Sequence, residues 1–301
     1  MGKFSMVSRL FILCVMTVFI SICSMYSLVA AAPQDAKEMV VTAYQKMLNF
    51  NNYHMALDST ATMSVQGKNI RMAMEGGFDI QAKPMLSKGD MNIRVYTDSK
   101  TLDKNLVQYI EESGNQIIIY SNVDNSWIKQ SFPKESVDSL RDYGSYIKAI
   151  KSAEIESDDD NSTVIRVVAS GEVLKNTLKQ KMALMGMNKL VVSDDFLADI
   201  QDLSYSITID KSTGNISASH MDLSDFMAQF GTHMADKMKT TEKQKQAITE
   251  MFQNMKFIMD VTFSQYNSAP DVVIPQDVKE RAVEKNVQSS KLLSGPQVTQ
   301  S

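Results

Sequence analysis

The side chains best suited to chemistry are few and far apart. His54, His220 and His233 are the chain's only imidazoles, and their spacing lacks the i, i+4 pair with which a helix holds zinc. His54 opens an alternating segment on its polar side, His220 sits within another, and His233 stands beside Met234 on a helical stripe, so each has an ordinary structural place. Cys14 and Cys23 are the only thiols, and both precede the expected mature chain. Neither a Gly-x-Ser-x-Gly elbow nor a His-Glu-x-x-His helix occurs. With no nucleophile beside a base and no cofactor fingerprint, the chain reads as a non-enzyme without cofactor or metal. Two softer patterns remain. Met182, Met185 and Met187, with or without His233, are thioethers of the kind that selects copper(I), and helical core spacing accounts for the same residues. The acidic run Glu154 to Asp160 lacks the glycine and the later bidentate Glu of a calcium loop and reads as a solvated turn.

Methionine is the residue type that stands out. Of 22 methionines only Met1, Met6, Met16 and Met25 precede residue 32, although methionine is not among the commonest residues of proteins. Met63, Met72, Met74 and Met91, with Ile93, fall on the apolar side of alternating segments, while Met182, Met185, Met227, Phe230 and Met234 fall on helical stripes. Together with Trp127, the only tryptophan, they form the candidate lining of an apolar ligand site. Flexible thioethers repack around ligands of different shape; the same stripes would serve equally as plain core filling. Burying a methylene yields about 0.8 kcal/mol against an association cost of about 4–15 kcal/mol, so a site must take about ten carbons to hold a chain. Trp127 has two readings as well, an anchor for a protein partner or the plug of a strand end.

What must position these residues is a sheet. Met55, Leu57, Ala61, Met63 and Val65 alternate with Asp58, Thr60, Thr62 and Ser64, which is the period of a half-buried strand. Ile70, Met72, Met74, Phe78 and Ile80 repeat the pattern beyond a hairpin turn at Gln66-Gly67-Lys68-Asn69. Further strands are expected at Met91 to Val95, Leu106 to Ile110, Ile117 to Val123, Trp127 to Phe132, Thr163 to Ser170, Leu203 to Asp210, Asn215 to Leu223 and Phe257 to Phe263. Helices are expected from Pro33 to Phe50, from Pro133 through Ile150, from Val173 to Met185, after Ser193, and from Ser224 to Phe252. The last is broken at Thr240-Thr241 and restarted by a capping box from Thr241 to Gln244. The expected fold class is α+β: one domain with a single strongly curved antiparallel sheet of about ten strands, a half-barrel, covered by several helices.

Both ends lie outside that domain. Lys3 and Arg9 precede an unbroken apolar stretch from Leu10 to Val29 that ends in Ala30-Ala31-Ala32, which is an export signal. Cleavage is expected after Ala31, giving a signal over 1–31, a domain over 32–284 and a polar tail without period over 285–301. Retention of the apolar stretch as a membrane anchor is the alternative. The formal net charge of −4 grows more negative once Lys3 and Arg9 are removed. With no basic cluster, this argues against nucleic acid or anionic membrane as a partner held by bulk electrostatics.

The order of elements resembles the lipoprotein-carrier superfamily of bacterial cell envelopes, the LolA, LolB and LppX type. The likeness is carried by the export signal and by the strand Ile117-Ile118-Ile119-Tyr120, which turns through Asp124 into Asn125-Ser126-Trp127-Ile128-Lys129. The strand Tyr205 to Ile209, turning through Asp210 to Gly214, adds to it. Cys23 follows Ser21 and Ile22, which departs from the lipobox of the anchored members. The resemblance implies a curved sheet around helices with an apolar cavity between, and a protein that holds a lipid, acyl chain or similar ligand outside the cytoplasm. A structural module that docks an envelope protein and takes no small ligand is the second reading, and the copper(I) site the third.

Overall fold

The computed structural model describes residues 35–65, 67–123, 125–134, 147–173, 175, 201–237 and 241–284. The chain opens with α1 (Ala36–Met47), whose first turn is closed by Asp35 accepting a hydrogen bond from the Glu38 amide at 2.8 Å. Six strands then run in sequence: β1 (Asn52–Val65), β2 (Lys68–Gln81), β3 (Leu86–Thr97), β4 (Thr101–Ser113), β5 (Gln116–Val123) and β6 (Ser126–Pro133). Four more follow: β7 (Ile150–Asp158), β8 (Ser162–Ala169), β9 (Leu203–Asp210) and β10 (Ile216–Asp222). A helical hairpin of α2 (Ser224–Lys237) and α3 (Glu242–Gln253) leads into β11 (Lys256–Ser264), α4 (Gln276–Arg281) and the short β12 (Val283–Glu284). Gly67 at φ 74° and Asn125 at φ 62° provide left-handed turn positions, the first in the expected hairpin between β1 and β2.

The twelve strands of the described residues form one sheet in the order β12-β6-β5-β4-β3-β2-β1-β11-β10-β9-β8-β7. Two meanders, β1 to β6 and β7 to β10, are joined at the centre by β11, which pairs β1 through Leu57 opposite Val261. Pairing is antiparallel except between β12 and β6, which run parallel. The sheet is open and not strongly curled, which replaces the expected half-barrel. Closure would require the two edges to meet. Instead β7 ends one side with exposed Glu154, Glu156 and Asp158, while β12 occupies the other. The sheet also has cover on both faces, so it need not wrap around its helices to bury apolar surface.

One face carries β1's odd-numbered residues, as the alternation predicts. Tyr53, Met55, Leu57, Ala61 and Met63 are buried there with Met72, Met74, Phe78 and Ile80 of β2 and Phe257, Met259 and Val261 of β11. Helices α2 and α3 close over this region through Met227, Met251 and Phe252, joined by Met255 of the link to β11. A second cluster lies under α1, where Val40, Ala43, Tyr44 and Met47 meet Ile165, Val167, Ile207 and Ile209. The opposite face is polar over β1 to β3 but apolar on β4 to β6, where Tyr109 and Tyr120 are covered by Val278 of α4.

Three expectations fall differently. The run Glu154 to Asp160 is a strand as far as Asp158, not a turn: its acidic side chains belong to an exposed edge, where charge deters pairing with another chain. The expected helix from Pro133 shows as helical at residue 134 and at 147–149 among the described residues, and Ile150 already begins β7. The helices expected at Val173 to Met185 and after Ser193, the signal and the polar tail lie largely or wholly outside the described residues. Among those described, no helix is long and apolar enough to cross a membrane.

Candidate functional site

Cross-strand register brings most of the predicted lining together. Met63 faces Ile70, Met72 faces Ala61 and Val95, Met74 faces Ile93, and Met91 lies beside Gly76 and Leu106. Met227 reaches the same cluster from α2, and Ile93 packs against it partly buried. Nine methionines share this cluster once Met55, Met251, Met255 and Met259 are added. Met227 is 2% exposed and Met63 6%; so close a fit is what well-placed rotamers of a flexible side chain provide. Phe230 and Met234 belong to α2, but their side chains lie outside the described ones. Met182, Met185 and Met187 also fall outside the described residues. Trp127 does not join the cluster. Its position on β6 points to the opposite face, where its ring lies 5.8 Å from that of Tyr109; the single-residue parity of a strand decides this.

At one end of the methionine cluster an open cleft of about 460 Å³ is formed. Thr62, Met63 and Ser64 of β1 and Asn69, Ile70 and Arg71 of β2 make one wall; Tyr96, Thr97 and Asp98 from the end of β3 and its turn, with Asn254 after α3, make the rest. Met63 and Ile70 connect its floor to the buried cluster. The Arg71 guanidinium lies over the Tyr96 ring, 5.6 Å from its centroid. Asn254 caps α3, its side-chain amide donating to the Glu250 carbonyl at 2.9 Å. Register sets Thr62, Arg71 and Tyr96 on the polar face of the sheet and Met63 and Ile70 on the apolar one, so the cation stands on the face away from the methionines. Arg71, Tyr96 and Asn254 escaped the sequence reading, because the turns that gather them are far apart in the chain.

The histidines have structural partners. His54 Nδ1 stands 2.7 Å from Asp79 Oδ1, its register neighbour on β2, and His220 Nδ1 stands 2.7 Å from Asp260 Oδ1 on β11. Ser264 is His54's other cross-strand neighbour, but the imidazole leans the other way, over Gly77. That direction takes the ring away from Ser264, so the two make no nucleophile–base pair. The side chain of His233 lies outside the described ones, and among the described residues no group of His, Cys, Asp or Glu is placed to hold a metal. Lys211 fills the centre of the acidic loop after β7: its amine lies 2.9 Å from Asp158 and also donates to the Asp159 carbonyl. Thr163 donates to Asp158, and this hydrogen bond, with Lys211, lowers that carboxyl's pKa.

Buried polar groups elsewhere hold the fold. Glu111 accepts from the Tyr120 hydroxyl at 2.8 Å and pairs with Lys279 of α4. Burial first, and then this hydrogen bond, raise the Tyr120 phenol.

Three comparisons bear on kinship. No curated protein matches the chain. Among solved structures, a DUF1329 family protein from Desulfovibrio piger is similar at 8% identity over 80% of this chain and 94% of that one, with a TM-score of 0.13, too low for any structural argument. The sequence profile of DUF6612, a family of unknown function, covers residues 35–283, which span every described strand but the last residue of β12. On that match, the chain belongs to the DUF6612 family.

Proposed function

We propose that this is an exported protein of the cell envelope that binds or carries a lipid, acyl chain or similar apolar ligand at its methionine-rich face. The observation that carries the reading is the continuity between the nine-methionine cluster and the open cleft, through Met63 and Ile70. A cleft of about 460 Å³ falls in the range of about 300–1,000 Å³ usual for small-ligand sites. Thioethers beneath its floor can change rotamer at low cost, so a hydrocarbon chain can enter where a rigid branched core would refuse it. Export follows from the leader over residues 1–31, and the likeness to the lipoprotein carriers supports the same class of ligand while the flatter sheet departs from their half-barrel.

Native mass spectrometry of protein purified without detergent tests this, followed by titration with a fluorescent fatty acid. Bound lipid masses, or saturable uptake, are expected. Recovery of the apo mass alone with no uptake would overturn the carrier reading and favour the second one, a docking module without a small ligand. The close packing of the methionine cluster is the observation on that side.

A further inference from the structure

We infer a second binding site, for a neutral saccharide, on the polar side of the cleft, where Thr62, Ser64, Asn69, Arg71 and Asp98 gather as unpartnered hydrogen-bonding groups. It lies on the face away from the methionines and stands whether or not the carrier reading does. Register places it. Thr62 stands opposite Arg71 and Arg71 opposite Tyr96, which makes one row of side chains on the polar face. Ser64 stands opposite Asn69 in the next row, and Asp98 follows in the turn after β3. Met63 and Ile70 alternate with these residues along their strands and turn their side chains to the other face.

Farther along the same face the polar side chains satisfy one another: Asn92 donates to Asp103 and Asn105, Arg94 pairs with Glu75, and Lys88 with Asp90. In the cleft this pairing stops. Among the described residues, Thr62, Ser64, Asn69 and Asp98 have no side-chain partner, and the contact of Arg71 is the Tyr96 ring, which leaves its N–H edges free to donate. Three of these five groups are uncharged and the other two cancel, so net charge favours neither an anion nor a cation. A charged ligand would depend on exposed ion pairs, which contribute little. Neighbouring hydroxyls on a sugar ring each donate and accept, and so can answer the hydroxyls, the amide, the carboxylate and the guanidinium together.

Protein lacking residues 1–31 is titrated with cellobiose, maltose and N,N′-diacetylchitobiose, with inorganic phosphate and alanine as charged controls, and binding is read by saturation-transfer NMR of the ligand. At least one disaccharide is expected to bind saturably and more tightly than either control. Arg71→Ala and Asp98→Asn should each weaken it about tenfold. Asp58→Asn, exposed on the same face but outside the cleft, should leave it unchanged. All three positions are exposed, so urea midpoints equal to that of the parent are expected and show that the variants fold. Disaccharide binding that ignores both cleft variants, or that falls equally in Asp58→Asn, overturns the site, as does the failure of all three disaccharides to bind. Tighter binding of phosphate, strengthened by Asp98→Asn, overturns the saccharide in favour of an anion, and tighter binding of alanine overturns it in favour of a zwitterion.

Discussion

At the scale of single residues, the interior mixes apolar packing with a few buried hydroxyls, and each makes a measurable claim. Tyr44 of α1 donates to Tyr205 of β9 across 3.1 Å. Burial is the main cause that raises both phenols, Tyr44 well above its ordinary value and Tyr205 to about 12. A folded pKa above the unfolded value of about 10 means that the native state holds these protons more tightly. Their contribution is whole below about pH 10 and is lost as pH rises through the folded values. Tyr44→Phe with Tyr205→Phe should therefore flatten part of the fall in urea midpoint between about pH 10 and 12; an unchanged slope would assign the alkaline loss to other groups. Gly231 of α2 makes a second claim, since a Cβ there would overlap the Phe252 ring of α3. Alanine gains about 1 kcal/mol in helix propensity, but overpacking costs about 1–3 kcal/mol. Gly231→Ala is expected to be net destabilising in urea, and Phe252→Leu beside it should recover part of the loss. A more stable Gly231→Ala variant would show that the two helices have room to separate.

At the scale of elements, what could be read from the chain is what local chemistry decides. The capping box is one case: the Thr241 hydroxyl accepts from the Gln244 amide at 3.3 Å while Gln244 Oε1 accepts from the Thr241 amide at 3.2 Å. Thr241→Ala should cost about 1 kcal/mol in chemical denaturation, and Thr241→Ser should retain most of it. The parity of β1 and β2 was equally legible, because alternation over 14 residues leaves one choice of inward face. Trp127 shows the limit. It belongs to a strand of eight residues, all exposed or intermediate, and with little alternation to read it was grouped with the methionine lining although its register puts it on the other face. β7 was missed for a related reason: as an edge strand it has one pairing partner and an acidic composition that resembles a loop. The cleft was illegible altogether, since the β1–β2 hairpin, the end of β3 and the residue after α3 meet only once the sheet is assembled.

At the scale of the whole molecule, the decisive fact is that β1 sits between β2, its neighbour in sequence, and β11, which follows about two hundred residues later. Pairing so distant makes loop closure slow and leaves the centre of the sheet incomplete until the last long strand arrives. The elements after β11 have a different standing. The arm through Ala269, Val272, Val278 and β12 covers Tyr109, Tyr120 and Trp127 on the opposite face, held by Glu111 with Lys279 and by Lys129 with Glu284 at 3.2 Å. It adds only Val283 and Glu284 to the ladder. Two truncations should separate these roles. A chain ending at Asn254 loses β11 with its buried Phe257, Met259 and Val261, exposes the β1 edge and the core these side chains filled, and is expected to lose its cooperative unfolding transition and aggregate. A chain ending at Asp271 keeps β1 paired to β11, so it should keep a single transition at lower denaturant. Trp127, the only tryptophan, should then emit at longer wavelength because its cover has gone. If both chains unfold together, the arm is part of the central cooperative unit; if neither changes, β11 is not the strand that completes the sheet.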